Sequence, residues 1–328
     1  MNTAQAQLGA VLSAGGPPLA RLLDRTETRL AEVAEAHGSE LGAHATGTLA
    51  AGGKRLRPVL VFLCGNHADG GGAHDDERLV AAGAAVELLH MATLVHDDVH
   101  DAAELRRGLP TVFAKAGRLA ATATGDLLFS RAFAELAATG SEDAVRALSA
   151  ASSALARGEL MQRADAWAED VTPERYLERC RLKTASLFEA SCRLGALFGG
   201  RPELVAPLGR FGERVGLAFQ MLDDVLDVSG PAERTGKPRG ADLLDGTVTL
   251  PLILARQVDS SLPGPVTTVA EAAAASDRIA ATGALEEART RALAHVVEAK
   301  HSLGRLNLSE ERLHALGLVA DGVVERYA

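Results

Sequence analysis

The chain has 328 residues, 47% of them hydrophobic but only 3% aromatic, and a formal net charge of −9. A composition rich in alanine and leucine favours close-packed helices over sheets, and the acidic balance excludes a partner held by phosphate-backbone attraction, such as nucleic acid. Cys64, Cys180 and Cys192 stand far apart with no C-x-x-C pair, so neither a disulfide framework nor a thiolate zinc site is indicated; with no signal-peptide or membrane-span pattern either, a soluble cytoplasmic protein is expected.

Residues 1–18 end in Gly-Gly-Pro-Pro and read as an N-terminal arm, loose or briefly helical, ahead of a body over 19–328. No composition break divides that body, so one domain is the economical reading. Leu19–His37 places apolar residues at helical period, and a second helical stretch covers Ser39–Ala50. Gly52-Gly53-Lys54-Arg55-Leu56-Arg57-Pro58 then joins a glycine break to clustered cations. Lys54 and Arg57, three apart, can share a helical face.

A loop at Ala68–His74 precedes a helix from about Asp76, which runs through Leu88–Val95 into His96-Asp97-Asp98-Val99-His100-Asp101 and then Arg106-Arg107. Pro110 restarts the chain, and Leu119–Ala138, Ala144–Arg163 and Arg175–Leu197 read as three more helices. Thr172-Pro173-Glu174 supplies a cap for the last of these, and Lys183-Thr184 lies within it. Pro207–Asp227 is helical and ends in Asp223-Asp224-Val225-Leu226-Asp227. Ser229–Thr249 is a loop rich in Gly, Pro and charge, Leu250–Gln257 resumes a helix, and Val269–Ala328 reads as two or three packing helices. The fold class expected is all-α.

The duplicated acid pattern carries the chemistry. On a helix Asp97 and Asp101 point one way and Asp98 stands about 100° off, and Asp223, Asp224 and Asp227 repeat that spacing. Six carboxylates brought together at two helix ends repel one another by several kcal/mol, of order, unless cations intervene. A ligand set of oxygens alone suits magnesium, which keeps open positions for water and phosphate oxygens, so a phosphate ester is the expected substrate.

Arg106 and Arg107 read either as a salt-bridged helix end or, near magnesium, as forked phosphate ligands; Lys54, Arg57, Lys183 and Lys237 read as surface charge or as phosphate-facing cations. His90, two turns before Asp97, reads as a core histidine or a site residue, and Gln220, three before Asp223, as a buried amide or a neighbour of that carboxylate. His96 and His100 read as structural or solvent-facing. Asp75-Asp76-Glu77 and Asp242–Asp245 read as exposed or helix-start charge.

GGKRLRP, HDDVHDAAELRRG, the Lys183-Thr184 pair, FQMLDDVLD and GKPRGADLLDGTVTLP, in that order, resemble the trans-prenyltransferases called polyprenyl diphosphate synthases, over roughly residues 19–328. The resemblance implies an all-α bundle around a central cavity (the isoprenoid synthase fold), usually a homodimer. It implies that Asp97, Asp98, Asp101, Asp223, Asp224 and Asp227 hold magnesium, three ions per active site, against the diphosphate of an allylic primer. Lys54, Arg57, His90 and Arg107 match positions for isopentenyl diphosphate; Arg106, Lys183, Thr184, Gln220 and Lys237 match the allylic side. The catalytic set so implied is Asp97, Asp98, Asp101, Arg106, Lys183, Asp223 and Asp224.

Two residues depart from the family pattern: Thr247 stands where lysine is usual, removing one phosphate-facing cation, and Ala102 stands where an acid is common. In this family the side chains one or two turns before the first motif set product length. Here these are Leu89, Ala92 and Thr93, with no aromatic floor, which implies a product of C30 or longer; Phe129 and Phe133 are candidates for a deeper floor. The alternatives are a short-chain (farnesyl or geranylgeranyl) synthase, a class I terpene cyclase, which needs no second diphosphate pocket, and a non-catalytic prenyl-diphosphate-binding subunit, which would be expected to lose aspartates that this chain keeps.

Overall fold

A computed structural model of the chain describes residues 3–50, 53, 55–65, 73–106, 108–230, 238–262 and 264–325. Helices dominate, as the composition requires. In order they are α1 Thr3–Glu35, α2 Ser39–Ala50, α3 Leu56–Cys64, α4 Ala73–His100, α5 Val112–Ala137, α6 Glu142–Ala164, α7 Pro173–Cys180, α8 Ser186–Phe198, α9 Pro202–Ser229, α10 Ala241–Leu244, α11 Leu250–Val258, α12 Val269–Ala281, α13 Ala284–Leu303 and α14 Glu310–Glu325. The sheet structure among the described residues is a two-residue hairpin, β1 Leu105–Arg106 and β2 Leu109–Pro110, antiparallel with Leu105 opposite Pro110.

The helix α4 is apolar on every side, with Leu79, Ala82, Ala85, Val86, Leu88, Leu89 and Ala92 fully buried, and such a helix belongs inside a bundle. It packs against α5, α3, α1 and α8. The second axis of the bundle is α9, flanked by α8 and α13. Residues 76–100 are long and apolar enough to cross a membrane, but 78% of their most apolar 18-residue window is buried inside the protein.

Local chemistry sets the helix starts. Thr111, Ser141 and Thr172 each accept a hydrogen bond from a backbone N–H three residues on, and Pro173 follows Thr172 at the first turn. Thr268 and Glu271 form a reciprocal capping box at α12. The arm expected at 1–18 is helical from Thr3 and continues into the rest of α1 through a kink at Gly16, where φ is 67°. Asp76, expected as exposed or helix-start charge, is in the first turn of α4, but is 4% exposed and pairs with Arg21 at 2.9 Å.

One expected helix is interrupted. Between α7 and α8 the backbone of Arg181–Ala185 forms a turn of π-helix, so Arg175–Leu197 is two α-helical segments joined by a wider turn. A π turn adds a residue without a break in the helix and is found at functional sites. Here it carries Lys183 and Thr184, and α6 fits against it because Gly158 has no side chain: a Cβ there would lie 2.5 Å from the backbone nitrogen of Lys183.

Candidate active site

Both aspartate triplets sit at helix C-terminal ends. Asp97 and Asp98 are in the last turn of α4, with Asp101 just beyond it, and Asp223, Asp224 and Asp227 occupy the last two turns of α9. The carbonyl end of a helix carries partial negative charge, so carboxylates there are disfavoured. Two long helices that both end this way carry a cost that cations offset. The exit from α4 turns sharply through Ala102 at φ 48°, with the Ala103 N–H bonded to the Asp98 carbonyl at 2.9 Å.

Around the first triplet the braces are cationic. Arg106, on β1, donates from Nε to Asp98 Oδ1 at 2.7 Å, and Asp98 is 5% exposed. Arg163, from the end of α6, donates to Asp101 Oδ1 at 2.9 Å and to Glu159 Oε1 at 3.0 Å. Glu159 also pairs with Lys183 Nζ at 2.5 Å. Burial raises the Asp97 carboxyl above its ordinary value; the charge of Lys183 pulls it back, and Glu159 pushes it up again. Glu159 is held below its ordinary range by Lys183 and Arg163 in spite of burial.

In the second triplet the hydrogen-bond donors to Asp224 are neutral. Asp224 is 3% exposed and accepts from the Tyr176 hydroxyl at 2.6 Å and from Gln220 Nε2 at 2.7 Å. Gln220 in turn accepts from the Thr184 hydroxyl at 2.6 Å. Burial, then the charge of Asp242, push the Asp224 carboxyl up to about 7, against the pull of its two hydrogen bonds. Tyr176 is raised well above an ordinary phenol by burial and by Asp224. Asp227 receives the Asp242 backbone N–H at 3.2 Å, which brings the start of α10 to the second motif.

The two triplets are thereby joined by one run of contacts: Asp101, Arg163, Glu159, Lys183, the adjacent Thr184, Gln220, Asp224. Arg57 lies with its guanidinium 4.8 Å from the Phe188 ring centroid, on the α3 and α8 side, and His90 is half-buried on α4, its carbonyl accepting from the Thr93 hydroxyl at 2.7 Å. Lys54, Arg107 and Lys237 lie outside the described residues. Leu89 and Ala92 are fully buried. Phe129 is 36% exposed, with its ring 5.3 Å from that of Phe133.

Glu159, Arg163, Tyr176 and Arg179 were not singled out in the sequence. They lie inside ordinary amphipathic helices, and nothing local distinguishes them from solvated charge or core. Asp242, expected as exposed or helix-start charge, is in the first turn of α10 but also faces Asp224. Arg55, beside the expected cations, is turned away into a structural role, bonded to Glu87 at 2.7 Å and to the Leu49 carbonyl at 3.1 Å. His96 pairs with Asp126 at 3.2 Å, as a structural histidine does.

The donor set fits a hard divalent cation: it is made of carboxylate oxygens, those of Asp97 and Asp224 pushed up by burial first and then by neighbouring carboxylates, with no thiolate among them. Among the described residues no group of three acidic, histidine or cysteine side chains is placed to hold a metal ion by itself.

The family model for polyprenyl synthetase matches residues 39–279. The chain belongs to the polyprenyl synthetase family. It is similar to heptaprenyl diphosphate synthase component 2 of Geobacillus stearothermophilus, 42% identical over 305 residues that cover 91% of this chain and 93% of that one. It is also similar to a geranylgeranyl diphosphate synthase of Methanosarcina mazei, 36% identical over 84% of this chain and 86% of that one. Among solved structures, a polyprenyl synthase from Caulobacter crescentus, complexed with calcium and isoprenyl diphosphate, superposes with a TM-score of 0.85 at 32% identity, over 98% of each chain. The fold is the isoprenoid synthase bundle, and the chain is a prenyltransferase of the polyprenyl diphosphate synthase kind, a family that uses divalent metal.

Proposed function

We propose that this polyprenyl synthetase is a soluble, cytoplasmic, magnesium-dependent enzyme that condenses isopentenyl diphosphate head to tail with an allylic diphosphate, releasing diphosphate and making a product of C30 or longer. The observation that carries the site assignment is the run of contacts from Asp101 through Lys183 to Asp224, which joins two acid-ended helices into one cation-seeking surface.

Asp97, Asp98 and Asp101 with Asp223, Asp224 and Asp227 would hold the magnesium ions, three in number. Asp98 is also held by Arg106, and Asp224 by Tyr176 and Gln220, which fixes the orientation of each clamp. When bound, magnesium neutralises the allylic diphosphate and stabilises the charge that develops as it leaves. Arg106, Lys183 and Lys237 add fixed positive charge on that side, with Thr184 and Gln220 holding Lys183's turn against α9. Arg57, His90, Lys54 and Arg107 hold isopentenyl diphosphate. Its double bond attacks the allylic carbon as the carbon–oxygen bond breaks, and the proton released from the adjacent carbon leaves with the departing diphosphate. The apolar wall of α4 keeps water from the reacting carbons.

Leu89, Ala92 and Thr93 leave room for a growing chain, with Phe129 and Phe133 as the candidates for a deeper floor. The heptaprenyl relative favours the long product, and the geranylgeranyl relative marks the short-chain alternative. We infer a homodimer. A second reading, favoured by the word "component" in the Geobacillus relative's name, is that turnover requires a second, different subunit. Incubating the purified chain with magnesium, isopentenyl diphosphate and a series of allylic primers, with chromatography of the products, tests all of this. Products of C30 or longer from the chain alone are expected; products stopping at C20 would overturn the long-chain assignment, and turnover only after a partner is added would establish the second reading. Consumption of an allylic diphosphate without isopentenyl diphosphate would point to a cyclase.

A further inference from the structure

The single tryptophan of the chain, Trp167, lies in the connection between α6 and α7, and no part of the chemistry above uses it. Its backbone is left-handed, with φ 64°, a conformation that a bulky side chain adopts only when surrounding contacts hold it there. Those contacts converge on one loop. The Trp167 N–H donates to the Gly246 carbonyl at 2.9 Å, and the indole covers Gly246 so closely that a Cβ there would lie 2.4 Å from Cε2. Gly246 itself has φ 78°, so both its backbone and the ring above it require glycine. Neighbouring bonds run the same way: Arg256 donates to the Ala168 carbonyl at 3.0 Å and Arg179 to the Val248 carbonyl at 2.6 Å.

The loop under the indole belongs to the second metal motif. At its start, Gly240 N–H bonds the Asp227 carbonyl at 3.0 Å and Asp242 N–H bonds Asp227 Oδ2 at 3.2 Å. At its end, Thr247 N–H returns to the Asp242 carbonyl at 2.8 Å, so the two ends are tied together through the residue that faces Asp224. Asp227 anchors one end of this loop, and Trp167 anchors the other. Thr247 is an uncharged side chain, 9% exposed, so it offers no cation with which a bound diphosphate could draw this end of the loop closed.

We propose that Trp167 is a positioning residue for the second metal site: its indole holds the loop Gly240–Thr247, and with it Asp242, against Asp223–Asp227, setting the affinity for magnesium and the allylic diphosphate while leaving the isopentenyl diphosphate pocket unaffected. The inference rests on the prenyltransferase reading, and wild-type turnover, measured first, tests that reading separately. In the full-length enzyme, Trp167→Ala is expected to raise the magnesium and allylic diphosphate concentrations for half-maximal rate about tenfold, with the KM for isopentenyl diphosphate changed less than about twofold, and Trp167→Phe is expected to recover most of the loss. A general loss of structure would move both substrates' KM together, and that result, or unchanged magnesium and allylic dependence, would overturn the proposal.

Should Trp167→Ala fail to fold, the wild-type protein provides a second measurement, because Trp167 is the only indole. Magnesium with inorganic diphosphate is expected to reduce acrylamide quenching of its fluorescence, and isopentenyl diphosphate without magnesium to leave it unchanged. Quenching that is the same in all three conditions would equally overturn the proposal.

Discussion

The two acid-ended helices carry the same three-aspartate spacing, yet their surroundings are built from opposite materials. The triplet after α4 is braced by guanidinium groups, Arg106 on Asp98 and Arg163 on Asp101, with Lys183 nearby. The triplet in α9 is braced by a phenol and an amide and faces a further carboxylate, Asp242. Asp98 and Asp101 are held by cations, whereas the hydrogen-bond donors to Asp224 are neutral, and Arg179 near it only partly offsets the burial that raises its carboxyl.

The largest expected effect removes either clamp outright. Asp97→Ala and Asp223→Ala should each lower turnover by about a thousandfold or more with the fold retained, since the charge developing on the leaving group loses its main stabilisation. Near-normal rates in either variant would refute the assignment of both triplets to one reaction.

The next effect separates the two kinds of brace. Arg106→Ala leaves Asp98 buried without this cation and should cost about 3 kcal/mol of stability, whereas Tyr176→Phe removes one neutral donor from Asp224 and should cost about 1 kcal/mol. Urea unfolding of both variants checks the difference. Equal costs would mean that the distinction between cationic and neutral bracing has no energetic content.

A pH titration sharpens the comparison further. Asp224 sits at about 7 in the folded chain, against an ordinary value of 3.8. Between those values the folded state holds a proton that the unfolded state has given up, so stability of the metal-free protein should fall as pH rises from about 4 to about 7 and level off above that. The melting temperature in the presence of a chelator should follow that course, and Asp224→Asn should flatten it. An unchanged profile in the asparagine variant would place the titration elsewhere.

The smallest effect on rate, though visible in the product, belongs to the first region alone. Ala92→Phe puts a ring one turn before Asp97 on a fully buried face of α4 and should shorten the product with modest loss of turnover. Chromatography of the products checks it, and an unaltered length distribution would break the link between α4 and chain length.

Much of the helical plan was legible in the sequence because amphipathic period, glycine breaks and Thr/Ser caps are local signals, as at Thr172-Pro173 and Thr111. The acid triplets were legible for a related reason: three carboxylates at the end of an apolar run are conspicuous without any tertiary information. What stayed hidden was the material around them. Glu159 and Arg163 have the look of an ordinary i,i+4 surface pair, and Tyr176 that of core packing, until α6 and α7 are folded against α4 and α9. The π turn at Arg181–Ala185 was equally invisible, since its composition is that of an α-helix and its winding is set by the contacts of Gly158 and Gln220.

The sequence by itself determined the class of chemistry: six carboxylates with no thiolate partners call for hard cations, and the cations spaced along the chain call for phosphate. Only the tertiary structure decided which carboxylate is held by what. Bracing depends on groups 8 to 62 residues apart meeting at hydrogen-bond distance, as Arg106 meets Asp98 and Arg163 meets Asp101. No periodicity encodes such meetings. They follow from how the helices pack, and with them comes the difference between carboxylates held by cations and one held by neutral donors.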